Sequence, residues 1–186
     1  GDCTMSKLFV DDIVEKTSGH GVVIPGYILQ VKQTVFKDTF STAVGESFAE
    51  VTGLRCNITP ASTSSKILIR LNLSFANQYY SSRGRLLKDG SAITGALGNQ
   101  VAARTPATFS YIKYGGGPAT AVYDMTHISV EYLDSPSTTS AVQYGVEVGG
   151  YSTSYTTYVN RNHNYANGST YPACPISSIT LMEIAQ

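Results

Sequence analysis

The sequence predicts an all-β chain folded as an antiparallel, jelly-roll-like β-sandwich of about eight to ten strands. Three observations carry this expectation. The C-terminal run Ser177-Ser-Ile-Thr-Leu-Met-Glu-Ile-Ala-Gln186 alternates in strand fashion, and a strand at a chain terminus must be held by partners elsewhere in the fold. Lys66-Ile-Leu-Ile-Arg-Leu-Asn-Leu-Ser-Phe75 puts Ile67, Ile69, Leu71, Leu73 and Phe75 on one face and Lys66, Leu68, Arg70, Asn72 and Ser74 on the other, as expected of a sheet with one buried and one mostly wet side. No segment sustains an i, i+3, i+4, i+7 apolar stripe over three turns, so helix has little support.

Along the chain, residues 1–26 read as an N-terminal arm or shaft segment and residues 27–186 as the sandwich, divided near Pro25-Gly26. Gly1 to Thr4, ahead of Met5, read as a cloning remnant or processing scar, with Met5-Ser-Lys-Leu8 a natural start. Leu8 to Glu15 and Val22 to Ile24, separated by Gly19 and Gly21, are too short to bury a core alone. They suit either a shaft wound around an axis shared with other copies or an arm packed on its own domain. The candidate strands are Tyr27–Lys37, Ser47–Ile58, Lys66–Tyr79, Gly84–Ile93, Thr108–Lys113, Ala121–Leu133, Ala141–Val148, Thr153–Asn160 and Ser178–Ile184. Turn chemistry separates them at Thr59 to Ser65, Lys88-Asp-Gly90, Tyr114 to Pro118, Asp134 to Ser140 and Gly149-Gly150. Asp89-Gly90 between apolar runs is the strongest hairpin signal. In the terminal strand, Ile179, Leu181 and Ile184 are assigned to one face, and Thr180, Met182 and Glu183 on or towards the other.

A chain of 186 residues is long enough for one well-filled core and too short for two. The 13 Lys and Arg balance the 13 Asp and Glu, which leaves no basic footprint for a phosphate backbone, so no nucleic-acid partner is expected. No run approaches the roughly 20 apolar residues of a membrane-spanning helix, so no membrane insertion is expected. Cys3, Cys56 and Cys174 match no zinc or redox spacing. Cys56 and Cys174 either pair with each other or stay as two buried free thiols.

Five stretches occur together and in order: Ile24-Pro-Gly-Tyr-Ile-Leu-Gln-Val31, Asn57-Ile-Thr-Pro-Ala-Ser-Thr-Ser-Ser-Lys-Ile-Leu-Ile69, Tyr132-Leu-Asp-Ser-Pro-Ser-Thr-Thr-Ser-Ala-Val-Gln-Tyr144, Val159-Asn160 and Ser178-Ile-Thr-Leu-Met-Glu-Ile184. This set, spread over residues 22–186, resembles a C-terminal module of tail-fibre and virion structural proteins of marine bacteriophages. The resemblance implies a homotrimeric, jelly-roll-like knob at the end of a fibre, located on the virion among other virion proteins. It transfers no catalytic residue and no cofactor. Its implied target is a host-surface glycan or envelope protein. Tyr79 to Gln100 and Tyr151 to Pro175 match the pattern least, which is where host specificity is expected. The face carrying Leu68 and the strand Met125–Leu133 are candidates for surface buried between subunits. Competing readings are a capsid-decorating or head-fibre protein without a receptor and a fibre-borne glycan depolymerase. Last comes a secreted trimeric ligand of the tumour-necrosis or complement-head type.

Two polar-aromatic groups stand out as candidate sites. Tyr151, Tyr155, Tyr158, Tyr165 and Tyr171 surround Asn160-Arg-Asn-His-Asn164, and Tyr79-Tyr80 sit close to Arg83 and Arg85. Tyrosine rings stack on sugar faces while Arg, Asn and His donate hydrogen bonds. The candidate receptor-binding residues are therefore Tyr79, Tyr80, Arg83, Arg85, Tyr155, Tyr158, Asn160, Arg161, His163 and Tyr165. The competing reading is that these tyrosines line a sheet face or a subunit contact. His20, between glycines, would meet its copies only around a threefold axis, His127 alternates inside an apolar strand, and nothing beside His163 supplies metal-site spacing. Asp124 and Glu131, seven apart on one strand, fall on opposite faces and make no acid–base pair. Gly115-Gly-Gly-Pro118 lacks the Lys and Ser or Thr of a phosphate loop. No catalytic residue, metal site or cofactor is assigned.

Overall fold

The computed structural model describes residues 26–112, 124–164 and 173–186. The N-terminal arm, the glycine-rich turn Tyr114 to Pro118, Ala121–Tyr123 of an expected strand, and Tyr165 and Tyr171 lie outside the described residues. The described residues form twelve strands: β1 Ile28–Phe36, β2 Phe40–Thr42, β3 Ala49–Glu50, β4 Cys56–Ile58, β5 Lys66–Asn77, β6 Ser81–Lys88, β7 Ser91–Ala92, β8 Phe109–Ile112, β9 Thr126–Asp134, β10 Val142–Gly150, β11 Thr157–Val159 and β12 Ser177–Ile184. A 3-10 turn, Thr94–Ala96, follows β7, and the described residues contain no α-helix.

The strands form two antiparallel sheets packed as a sandwich. In the first, β5 is the spine. Its one flank pairs with β9 from Ile67 to Phe75; its other pairs with β12 from Lys66 to Asn72 and with β11 from Phe75 to Asn77, so β12 and β11 lie end to end. β1 and β2 extend the sheet beyond β12 and β11. In the second sheet β10 carries β4 and β3 on one flank and β6 on the other, and β6 carries β8 and β7. The principal strands thus run β1-β12-β5-β9 and β4-β10-β6-β8, the connectivity of a double-sheet jelly roll.

Alternation explains the core. Ile67, Ile69, Leu71, Leu73 and Phe75 of β5, Ile179 and Leu181 of β12, and Val142, Tyr144, Val146 and Val148 of β10 are buried and face one another between the sheets. At one end Phe109 lies across Gly84 and meets Phe75 edge-on at 5.7 Å; a Cβ on Gly84 would stand 2.2 Å from the Phe109 ring, so only glycine fits. The Asp89-Gly90 hairpin forms as expected, with φ of 50° and 78° at its two central residues, the sign pattern of a type I′ turn.

Six expectations are corrected. The single strand Ser47–Ile58 is two short strands, because the chain turns at Thr52 to Arg55, where the Leu54 N–H donates to Val51 O at 2.8 Å and the Phe36 ring packs on Gly53. Thr153–Asn160 contracts to Thr157–Val159, Gly149-Gly150 belong to β10 rather than a loop, and Phe40–Thr42 is an additional strand. Glu183, not Ile184, shares the buried face with Ile179 and Leu181, since strict alternation runs 179, 181, 183; its side chain is 0% exposed. Cys56 is a buried free thiol, whereas Cys174 is exposed.

The outer face of the first sheet carries a continuous apolar row. Register aligns Val31 with Met182, Met182 with Leu68, and Leu68 with Leu133, one residue from each of four strands, all on the side away from the core. Val31 and Leu133 are exposed, as are Tyr27, Ile28 and Leu29 beside the row. The neighbouring row is polar: Gln33 Nε2 donates to Thr180 Oγ1 at 2.9 Å, and Arg70 pairs with Glu131.

Candidate functional site

The ten residues singled out in the sequence separate into an outward group and an inward one. β6 sorts them, because its alternation turns Ser82, Gly84 and Leu86 towards the core and Ser81, Arg83 and Arg85 towards the outside. Ser82 confirms the inward side by sharing a 2.7 Å hydrogen bond with Thr157 Oγ1 of the opposite sheet.

Just before β6, Tyr79 and Tyr80 meet Tyr151 and Tyr155 from the segment after β10. The ring centroids lie 3.9 Å apart for Tyr79 and Tyr80, 5.2 Å for Tyr79 and Tyr155, 4.9 Å for Tyr80 and Tyr151, and 5.6 Å for Tyr80 and Tyr155. The three contacts made by Tyr151 and Tyr155 are edge-on or tilted at separations that aromatic quadrupoles favour. Tyr80 and Tyr151 remain 41% and 52% exposed, so the cluster is a surface patch. Tyr80 adopts φ of 62°, an uncommon conformation for a bulky aromatic, with its carbonyl accepting from Asn77 Nδ2 at 3.1 Å. Its hydroxyl hydrogen-bonds with Tyr79 and neighbours Tyr155 and Tyr151, which raises its pKa above the ordinary phenol value and keeps it neutral.

Arg85 is fully engaged. Its guanidinium lies 3.8 Å from the Phe48 ring centroid, Nε donates to Pro106 O at 2.9 Å, and Nη1 stands 3.7 Å from Glu147 Oε1. Arg83 is held more loosely, with a 3.3 Å hydrogen bond from Nη2 to Glu46 O, and its buried Nε has no partner. It borders a cavity of about 520 Å³ on the outer side of β6 and β8, lined also by Glu46, Asn99, Arg104, Thr105 and Ser110. The loop over this cavity is closed by Gly98 N to Ala107 O at 3.1 Å and by a turn in which Arg104 N donates to Val101 O at 3.2 Å.

Tyr158, Asn160, Arg161 and His163 form a separate cluster, in which Tyr158 and Asn160 are buried, against expectation, while Arg161 and His163 are half-buried. Tyr158 is buried and shares a 2.7 Å hydrogen bond with His163 Nδ1, while Arg161 lies 5.0 Å from the Tyr158 ring centroid and donates to Asn162 O. Asn160 is 1% exposed and adopts φ of 58°. Its amide nitrogen donates to Phe36 O and Asp38 O, at 2.8 and 2.9 Å, and its amide oxygen accepts from Ser177 Oγ, leaving no group for a ligand. Tyr165 lies outside the described residues.

The structure therefore unites Tyr79, Tyr80 and Tyr155 with Tyr151, puts Arg83 at a cavity beside them, and withdraws Asn160. Arg104 and Asn99 were missed, since an arginine in a long loop has no periodicity to announce it. A polar loop between Gly98 and Pro106 was the one signal available. No protein-family model matches the chain, and a search of curated proteins returns no match, so the site is assigned by its own chemistry.

Proposed function

We propose that this chain is a non-enzymatic phage virion structural protein, a trimeric knob at a fibre tip that attaches the particle to the host-cell surface through its tyrosine patch. The observation that carries this reading is the convergence of Tyr79 and Tyr80 with Tyr151 and Tyr155, from segments some seventy residues apart, into one exposed aromatic surface. Burying these rings in the core would have gained more from the hydrophobic effect. Exposed and mutually braced, they offer flat faces for sugar rings and hydroxyls for hydrogen bonds. A left-handed φ at Tyr80 costs about 1–2 kcal/mol, the kind of backbone strain that concentrates at ligand sites. The resemblance of the ordered segments to fibre modules supports the same reading.

The apolar row Val31, Met182, Leu68 and Leu133, exposed at its two ends and half-buried between them, supports self-association, because a contiguous apolar strip reaching solvent on a sheet face marks interaction surface. Three weak sites on one knob raise apparent affinity by about 10²–10⁴ when they engage together. The test is direct: light scattering coupled to size exclusion on the purified chain, then binding of labelled chain to host cells. A mass near three times 19.9 kDa with saturable binding, lost in Tyr80→Ala and Tyr151→Ala, is the expected result. A trimer that binds no cells would leave a capsid-decorating role, and a monomer would remove the avidity argument.

A further inference from the structure

Beside the tyrosine patch, the geometry points to a second subsite: the cavity bordered by Arg83 and Arg104 takes the carboxylate of an acidic sugar. This deepens the attachment reading and rests on it for its biological setting, though not for its chemistry.

The comparison of two arginines on one strand face carries the assignment. Arg85 spends its guanidinium on Phe48, Pro106 O and Glu147. Arg83, two residues earlier, lies farther from the same Phe48 ring, at 5.8 Å, makes one 3.3 Å hydrogen bond to Glu46 O, and borders open space of about 520 Å³. Its Nε is closed off from solvent and cannot itself reach a ligand, but Arg83 borders the cavity and the remaining N–H groups of its guanidinium can pair with a carboxylate. Arg104 adds a second cation to the lining, and among the described residues neither Arg83 nor Arg104 forms an ion pair.

The remaining lining decides the class of anion. Glu46 borders the same cavity, so its charge opposes a phosphate dianion more than a singly charged carboxylate, and its oxygens accept hydrogen bonds from hydroxyls. Asn99, Thr105 and Ser110 add amide and hydroxyl groups suited to a polyol, and the volume falls within the roughly 300–1,000 Å³ range of small-ligand sites. The zero net charge of the chain gives no attraction to a polyanion. A uronic or sialic acid residue, with one carboxylate and several hydroxyls, fits this mixture. Ser81, which lines the cavity, directly follows Tyr80, so an oligosaccharide can rest a neighbouring ring on the tyrosines while its acid enters the cavity. Closure of the loop by Gly98 N to Ala107 O means the cavity exists before ligand arrives.

The experiment titrates the full chain with trigalacturonate and with 3′-sialyllactose, and in parallel with methyl-esterified trigalacturonate and lactose, by calorimetry at low and high salt. At least one acid is expected to bind about tenfold or more tighter than its neutral counterpart, and Arg104→Gln and Arg83→Gln to remove that preference. Arg104 is exposed, so its variant should fold normally and keep the test decisive. No binding of either acid, or binding unchanged in Arg104→Gln, overturns the subsite. Cell binding separates the two readings: a native chain that adheres to host cells but binds neither acid refutes the acid subsite alone. A chain that binds the acids but no cells refutes the attachment role alone.

Discussion

Asn160 accepts a 2.6 Å hydrogen bond from Ser177 Oγ at the point where β11 ends and β12 begins beside it along β5. Ser177 Oγ in turn accepts from Ser74 N at 3.0 Å, and the Asn160 N–H donates to Ser74 O at 3.0 Å. One buried amide thus closes the seam between two collinear strands and also holds the β1–β2 corner through Phe36 O and Asp38 O. Replacing Asn160 with glycine keeps the left-handed φ and removes only the amide. We expect a loss of about 2–4 kcal/mol in urea unfolding, from buried partners left without hydrogen bonds. If Asn160 instead contacted a receptor, the same variant would bind less without unfolding sooner.

Glu183 sits in the core face of β12 yet stays charged. Burial alone would raise its pKa, but Gln30 Nε2 at 2.6 Å and Ala61 N at 2.7 Å, with the Ser62 backbone, stabilise the carboxylate and bring the net pKa below the ordinary 4.5. A depressed folded-state pKa adds stability that is present above the unfolded value and disappears as pH falls through the folded one. The native chain should therefore lose stability as pH drops below 4.5. Glu183→Gln points a donor at donors, which costs about 1–3 kcal/mol near neutral pH and flattens that acid limb. Thermal unfolding between about pH 3 and 7 reads both effects; an acid limb unchanged in the variant would place the titrating group elsewhere.

How far the sequence discloses this fold depends on which rule governs each element. β5 and β10 bury one face and obey period-2 alternation, so they were legible, as was the Asp89-Gly90 turn, whose two positive φ values need those residue types. Glu183 was assigned away from the core because a carboxylate there makes sense only with Gln30 and Ala61, which come from 153 and 122 residues away. The break at Thr52 to Arg55 depends on the Phe36 ring lying on Gly53, again a tertiary cause. For the site, residue type announced the tyrosines but not their grouping: Tyr155 joined Tyr79 and Tyr80, whereas Tyr158, three residues on, turned inward. Strand alternation fails across the turn before β11, where Tyr155 N donates to Ser152 O, so spacing alone does not sort them.

Tyr80 offers a test that separates binding from stability. Its φ of 62° suits glycine, so Tyr80→Gly relieves strain and should hold stability within about 1 kcal/mol of the native chain despite the lost ring contacts. Tyr80→Ala keeps the strain and should be the less stable of the two. Both should lose cell adhesion alike, because both lack the ring. Adhesion that follows stability instead would make the tyrosine patch a structural feature.

A buried polar group of the second sheet predicts a larger loss. Tyr144, fully buried, donates from its hydroxyl to Asp134 Oδ2 at 2.7 Å, and Lys88 Nζ stands 3.0 Å from the same oxygen. Burial first, then Asp134, drives the Tyr144 hydroxyl far above the usual phenol range, so it acts as a donor at every working pH. Asp134→Ala strands that hydroxyl in the core and should cost about 2–3 kcal/mol, whereas Tyr144→Phe, which leaves Asp134 its lysine, should cost about half as much. Chemical denaturation of the two variants checks the order.

Leu133 and Leu68 test the assembly. They face each other across β9 and β5 on the outer side of the first sheet, in line with Met182 and Val31. Leu133 is 43% exposed in the single chain, so Leu133→Asp should fold with a loss within about 0.5 kcal/mol. In an assembly that buries the row, the same carboxylate would lie against apolar surface without a partner, a cost that interfaces do not tolerate. The native chain is expected to elute near three times 19.9 kDa and Leu133→Asp near 19.9 kDa, with cell adhesion falling as the sites lose their linkage. A Leu133→Asp protein that stays trimeric would move the subunit contact off this face, and the apolar row would then need another partner.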